Sequence, residues 1–157
     1  MLNERLFREA MGSFTTGVTV ITTLGDQSDI HGMTANALMS VSLDPQLLLI
    51  SIDQHSQTLD RIQQSGKFSI SILCKHQEHL SRLFSGHCRQ DPIDFAWFDG
   101  MPVIKEAVAW LNCRVYDTFT VGDHTLFVGE VLNVRLEDTE PLVYFKSQYY
   151  SLDHKKE

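Results

Sequence analysis

Four short stretches of the chain carry residues able to do chemistry. Gly32, Met33, Thr34, Ala35, Asn36 and Ala37 combine small side chains with two polar groups. The small residues let a flat ligand approach the backbone amides, and Thr34 and Asn36 can hydrogen-bond its rim. A turn with an internally satisfied Asn explains the same residues. Ser40 and Ser42 share one face of an alternating strand and Ser51 stands on the next strand. This hydroxyl set suits a polyol or a phosphate, and equally suits solvent. His55, Ser56, Gln57 and Thr58 follow an apolar strand and open a helix, where amides, hydroxyls and the helix dipole favour an anion. Ordinary N-capping by Ser56 accounts for them as well. Gly122, Asp123 and His124 place a titratable imidazole beside a tight turn, at a pocket mouth or in water.

Other chemistries lack their signatures. No two glycines lie two residues apart, so the dinucleotide fingerprint is missing, and Gly17 is followed by Val18 and Thr19 where a P-loop needs Lys and Ser or Thr. His76 and His79 can share a helix face, with His87 and Cys88 further on, but Glu78 is misplaced for a zincin and no second ligand pair has metal spacing. The reading is a solvated helix and no metal. No Ser stands in a nucleophile elbow, and no Ser-His-Asp or Cys-His arrangement is recognisable from spacing.

The elements that position these residues follow from periodicity. Leu2, Leu6, Phe7, Ala10, Met11 and Phe14 form one apolar stripe on a helix ending near Gly12. Residues 18–23 read as a strand, Gly25 and Asp26 as a turn, and a second strand starts at Ile30. Residues 38–43 alternate, Met39, Val41 and Leu43 against Leu38, Ser40 and Ser42, before Asp44 and Pro45 turn the chain into a strand over 47–52. A helix from Ser56 to Gln64 closes at Gly66, a strand covers 68–73, and a helix covers 76–84 up to Gly86. Residues 86–102 read as one long loop. Strands over 110–120 and 125–136 flank the Val121–His124 connection, and a last short strand runs from Pro141 to Phe145. Six or seven strands joined mostly by short turns pair antiparallel, so the fold is mainly β: a small antiparallel barrel with two or three peripheral helices.

The chain has 157 residues, 43% hydrophobic and 21% charged, enough apolar material for one self-sufficient domain over 1–157. With 13 Lys plus Arg against 20 Asp plus Glu, its net charge is −7. No cationic block exists to displace counterions from a phosphate backbone, so nucleic acid is not an expected partner. Cys74, Cys88 and Cys113 are odd in number and form no CxxC pair, which reads as reduced thiols in the cytoplasm. The longest apolar run, Leu47–Ile50, is too short to cross a membrane, and no signal peptide is visible.

In their joint order, FTTGVTVITT at 14–23, HGMTANALMSVSLDPQLLLISID at 31–53, Pro102–Ile104, GDHTLFVGEV at 122–131 and PLVY at 141–144 resemble the flavin-reductase-like group of the FMN-binding split barrel. The likeness covers nearly the whole chain and is closest to the reductase components of phenol and 4-hydroxyphenylacetate hydroxylase systems. It implies a Greek-key-like antiparallel split barrel and a homodimer with flavin sites near the interface. The implied activity is NAD(P)H-dependent reduction of FAD, FMN or riboflavin, with reduced flavin diffusing to a larger monooxygenase. By the resemblance, Met33, Thr34, Ala35 and Asn36 border the isoalloxazine, and Ser40, Val41, Ser42 and Ser51 line the ribityl and phosphate region. Ser56 and Thr58 lie near the phosphate, and Asp123 and His124 lie near the nicotinamide. Family members often carry a basic residue after the position of Asp53, where this chain reads Gln54, His55, Ser56, Gln57. FAD and FMN, NADH and NADPH, and bound or exchanging flavin stay as alternatives. A rival reading is a flavin-binding electron carrier or sensor without turnover, against which the Gly-Asp-His turn speaks. Another, an oxidase of a phosphorylated small molecule, wants clustered cations where only Arg61 and Lys67 are near.

Overall fold

The structure is a computed structural model that describes residues 3–86 and 92–152. In chain order its elements are α1 (Glu4–Gly12), β1 (Thr16–Gly17), β2 (Thr19–Leu24), β3 (Ile30–Ala35), β4 (Leu38–Leu43), β5 (Gln46–Asp53), α2 (Gln57–Ser65), β6 (Lys67–Ile72) and α3 (Glu78–Phe84). After these come β7 (Phe95–Phe98), β8 (Met101–Ile104), β9 (Ala109–Val121), β10 (His124–Leu136), β11 (Val143–Phe145) and β12 (Gln148–Tyr150). Seven strands form one antiparallel sheet in the order β3-β2-β6-β9-β10-β5-β4.

The edges of that sheet are consecutive in sequence. Laid flat, seven strands would separate β3 from β4 by roughly 29 Å, six spacings of about 4.8 Å. The link from Ala35 to Leu38 spans three peptide units and reaches about 11 Å at most. The sheet therefore curls into a barrel whose edges meet at Asn36–Ala37, where the Leu38 amide donates to the Asn36 carbonyl at 3.1 Å, and diverge from there. This is the split barrel that the resemblance implies.

Strand alternation builds the interior. Ile21, Ile50, Ile52, Phe68, Ile70 and Phe127 point inward and are fully buried, and Leu59 and Ile62 of α2 plug the barrel. Each such side chain contributes about 1.5–3 kcal/mol relative to exposure. A second core lies outside the barrel wall. There Val18, Val20, Leu73, Val103, Ile104 and Trp110 pack β8 and neighbouring elements over β2 and β6, with Leu80 and Phe84 of α3 and Tyr149 of β12 at its margin. The opposite outer wall, on β4, β5, β10 and β9, lacks such a cover. Met39, Val41, Phe119 and Val121 stand exposed there.

Three expectations need correction. The 86–102 segment contains the antiparallel β7–β8 hairpin, turned through Asp99 and Gly100, both with positive φ; its residues 87–91, including His87 and Cys88, lie outside the described residues. The helix expected over 76–84 covers only Glu78–Phe84, because Gln77 is buried and its side-chain amide is drawn to the Cys74 amide and the Lys105 carbonyl. The alternation of 38–43 is broken by a bulge between Ser40 and Ser42, which inserts Val41 and re-aims the rest of the strand.

Candidate active site

β3 ends at the split, and its inward side chains, Met33 and Ala35, pack against the interior core. Met33 therefore faces the barrel, with its sulfur 3.7 Å from the Ser56 hydroxyl. Thr34 points outward. Its hydroxyl donates to the Ser81 carbonyl at 2.6 Å, and the Ser81 and Tyr149 hydroxyls lie 2.7 Å apart, which ties β3, α3 and β12 together. Gly32 makes this docking possible, since a Cβ there would meet the Phe84 ring at 2.6 Å. Thr34, Ala35 and Asn36 line a cleft of about 430 Å³ with Arg82, Ser147 and Tyr149.

Ser40 and Ser42 line a different, mostly apolar recess of about 370 Å³ with Leu38, Leu47 and Val134, on the other side of the Asn36–Ala37 link. Ser51 lies on the outer face of β5, in register with Leu126 and through it with Phe119. Ser56 caps α2, its hydroxyl accepting from the Thr58 amide at 3.3 Å, and Thr58 is buried. The capping reading of these two residues is thus observed.

The Gly122–His124 turn is fastened to the β5–α2 corner. The Gln54 amide donates to the Asp123 carbonyl at 3.0 Å, its side-chain amide reaches the Gly122 carbonyl at 3.4 Å, and His124 pairs in register with Asp53. Asp123 lies 2.7 Å from His124 Nδ1. That hydrogen bond, with the histidine's charge, holds the Asp123 carboxyl below its ordinary value of 3.8. An ionised carboxylate only accepts, so Nδ1 carries the proton and Nε2 is presented outward. Asp53 is lowered in the same way, chiefly by the His55 amide at 2.7 Å and the His55 ring at 3.0 Å.

The predicted residues thus occupy three places around one split, with Met33 and Ser56 joining the first to the third. As sheet edges, β3 and β4 leave backbone donors and acceptors facing the gap, the set that the rim of a flat heterocycle can use. Sequence reasoning missed Arg82, Ser147 and Tyr149. Ser147 sits in a two-residue turn, Lys146–Ser147, in which both residues have positive φ although neither is Gly, Asn or Asp, so no turn signature marks it.

The family model described as "Flavin reductase like domain" matches residues 11–153. The chain belongs to this family. It is 41% identical over 149 residues to an NADH-dependent flavin reductase from a Rhodococcus species, covering 93% of this chain and 85% of that one. It is 37% identical over 151 residues to the 4-hydroxyphenylacetate 3-monooxygenase reductase component of Thermus thermophilus, covering 95% and 97%. Among solved structures, flavin reductase PheA2 in its native state superposes with a TM-score of 0.94 at 45% identity, covering 98% of this chain and all of that one.

Proposed function

We propose that this chain is a flavin reductase that takes hydride from NADH or NADPH, passes it to FAD or FMN, and supplies reduced flavin to a separate monooxygenase. The observation that carries the reading is His124, fixed by Asp123 at the corner of the split and turned toward the same outer face as Ser51. Flavin supplies the hydride-accepting ring and nicotinamide the hydride. The chain's task is to stack and orient the two rings and to meet the charge that develops.

In this reading the backbone of Met33 to Asn36 borders the ring, and Thr34 is held rigid by Ser81. Ser40, Val41, Ser42 and Ser51 meet the flavin tail, and the first turn of α2 at Ser56 and Thr58 favours its phosphate through the helix dipole. His124 positions the nicotinamide, and Asp123 keeps the imidazole in one tautomer. Two copies pair through the bare outer wall. Exposed Met39, Val41, Phe119 and Val121 surround Ser51 and His124 there, so pairing would dry the site.

Oxidation of NADH and of NADPH with FAD, FMN and riboflavin tests the activity. His124→Ala is expected to slow nicotinamide oxidation far more than it weakens flavin binding. An unchanged rate removes its role. Sedimentation of wild type and Val121→Glu tests the pairing, which a monomeric wild type would refute.

A further inference from the structure

Ser81 is fully buried, and among the described residues its hydroxyl has one partner, the Tyr149 hydroxyl at 2.7 Å. The distance alone leaves the direction of that hydrogen bond open, and burial decides it. If Tyr149 donated, the Ser81 proton would have neither an acceptor nor water, a loss that native interiors avoid. Ser81 therefore donates and Tyr149 accepts. The phenol then directs its own proton away from Ser81. Tyr149 is half-buried in the wall of the cleft that Thr34, Ala35 and Asn36 also line, so that proton is offered to the cleft. Its ring is held by Tyr144, with centroids 5.2 Å apart. The Ser81 carbonyl meanwhile accepts from Thr34 at 2.6 Å. One buried residue thus aims the phenol and fixes the strand end opposite it, before any ligand arrives.

We propose that the Tyr149 hydroxyl donates a hydrogen bond to a pyrimidine carbonyl of the flavin ring bordered by Thr34–Asn36, and favours the reduced ring over the oxidised one. The inference rests on the flavin-reductase reading, and deepens it by adding a side chain that touches the ring. An isoalloxazine has an apolar dimethylbenzene end and a pyrimidine end with two carbonyl oxygens. A cleft lined by the Asn36 amide and the hydroxyls of Ser147 and Tyr149 suits the second. The tail still leaves toward Ser40 and Ser42, on the other side of the Asn36–Ala37 link. A hydride carries one proton and two electrons from the nicotinamide ring, which is oxidised, to flavin N5. The flavin gains one negative charge, shared by its pyrimidine carbonyls. A fixed donor at one of them therefore holds the product ring more tightly than the reactant ring.

Tyr149→Phe alone would leave the Ser81 proton without a partner, so the decisive comparison is Ser81→Ala against Ser81→Ala/Tyr149→Phe. Between these two only the phenol changes, and Thr34 keeps its backbone acceptor. Kd is measured for oxidised FAD, FMN and riboflavin and, without oxygen, for the same flavins reduced by dithionite, with thermal melts to show that both variants fold. Loss of the phenol is expected to weaken oxidised flavin about 3- to 10-fold and reduced flavin about 10-fold further, alike for all three flavins. That further tenfold lowers the two-electron potential of the bound flavin by about 30 mV. Equal weakening of the two redox states is what a merely structural role would give, and overturns the proposal. So does an unchanged Kd, or a loss that differs among the three flavins, which puts the hydroxyl at the tail. A wild type that binds no flavin in either redox state refutes the flavin-reductase reading instead, whatever the variants do.

Discussion

Gly32 is where the fold and the candidate site depend on one missing methyl group. A Cβ at this position would lie 2.6 Å from Cε1 and 2.9 Å from Cδ1 of Phe84, and 3.4 Å from the Thr22 methyl. Ordinary carbon contacts need about 3.5–4.0 Å, so Gly32→Ala must displace the ring by about 1 Å. Phe95 packs against the same ring, with centroids 6.1 Å apart, and Phe84 belongs to α3, so the displacement passes into that helix. Overpacking of this kind costs about 1–3 kcal/mol, which for a domain of this size lowers Tm by roughly 2–12 °C. Because α3 carries Ser81 and Arg82, the shift also loosens the Thr34 hydrogen bond, and flavin affinity falls with stability. Thermal melts and flavin titrations of Gly32→Ala, Phe84→Leu and the double variant form a cycle. Phe84→Leu should cost less when combined with Gly32→Ala than in wild type, with at least about 0.5 kcal/mol of coupling. Additive losses, or a Gly32→Ala variant as stable as wild type, would refute the steric account.

Gln54→Ala, which removes the side-chain tie to the Gly122 carbonyl, is expected to lower kcat for NADH oxidation severalfold while leaving the flavin Kd within about twofold; stopped-flow reduction traces check this. Gly129→Ala drives a Cβ to 2.6 Å from the fully buried Phe68 ring and 3.2 Å from Cys113 Cβ. Urea denaturation should show a loss of about 1–3 kcal/mol, larger than that of an exposed Gly→Ala change. Asp123 has a lowered folded pKa, so its contribution to stability is present above the unfolded value of 3.8 and is lost as pH falls through the folded one. Melting curves of Asp123→Asn and wild type should therefore converge once pH falls below the folded value and separate as pH rises through the acid range.

Much of this was legible in one chain because local chemistry and global fold agree. The β-branched run at 18–23, the apolar strand over 47–52 and the Ser56 to Gly66 helix signals all became the elements they describe, since each feeds the same interior. The β7–β8 hairpin was missed although its Asp99–Gly100 pair is the usual type I′ signal, because prolines and aromatics around it suggested irregular chain. The exposed stripe of α1 shows the limit of periodicity. Leu6, Phe7, Met11 and Phe14 repeat as a buried face would, yet no residue of the helix is buried in the single chain. At the site, hydrogen-bonding types marked Thr34, Ser56 and His124, but which side of the wall each faces depends on register. That is why Met33 turned inward and Arg82, remote from it in sequence, came to stand beside Thr34.

The two-residue tie between β3 and β4 constrains how the chain reaches its final shape. Its neighbours along the backbone are the most distant members of the sheet in pairing order, so the chain itself holds the two rims together while the five strands between them zip side by side around the circumference. Until then both ragged rims face water, open to pairing with other chains. A ligand seated across that seam would bridge two rims that no strand pairing joins, and so would act as the latch on the cylinder.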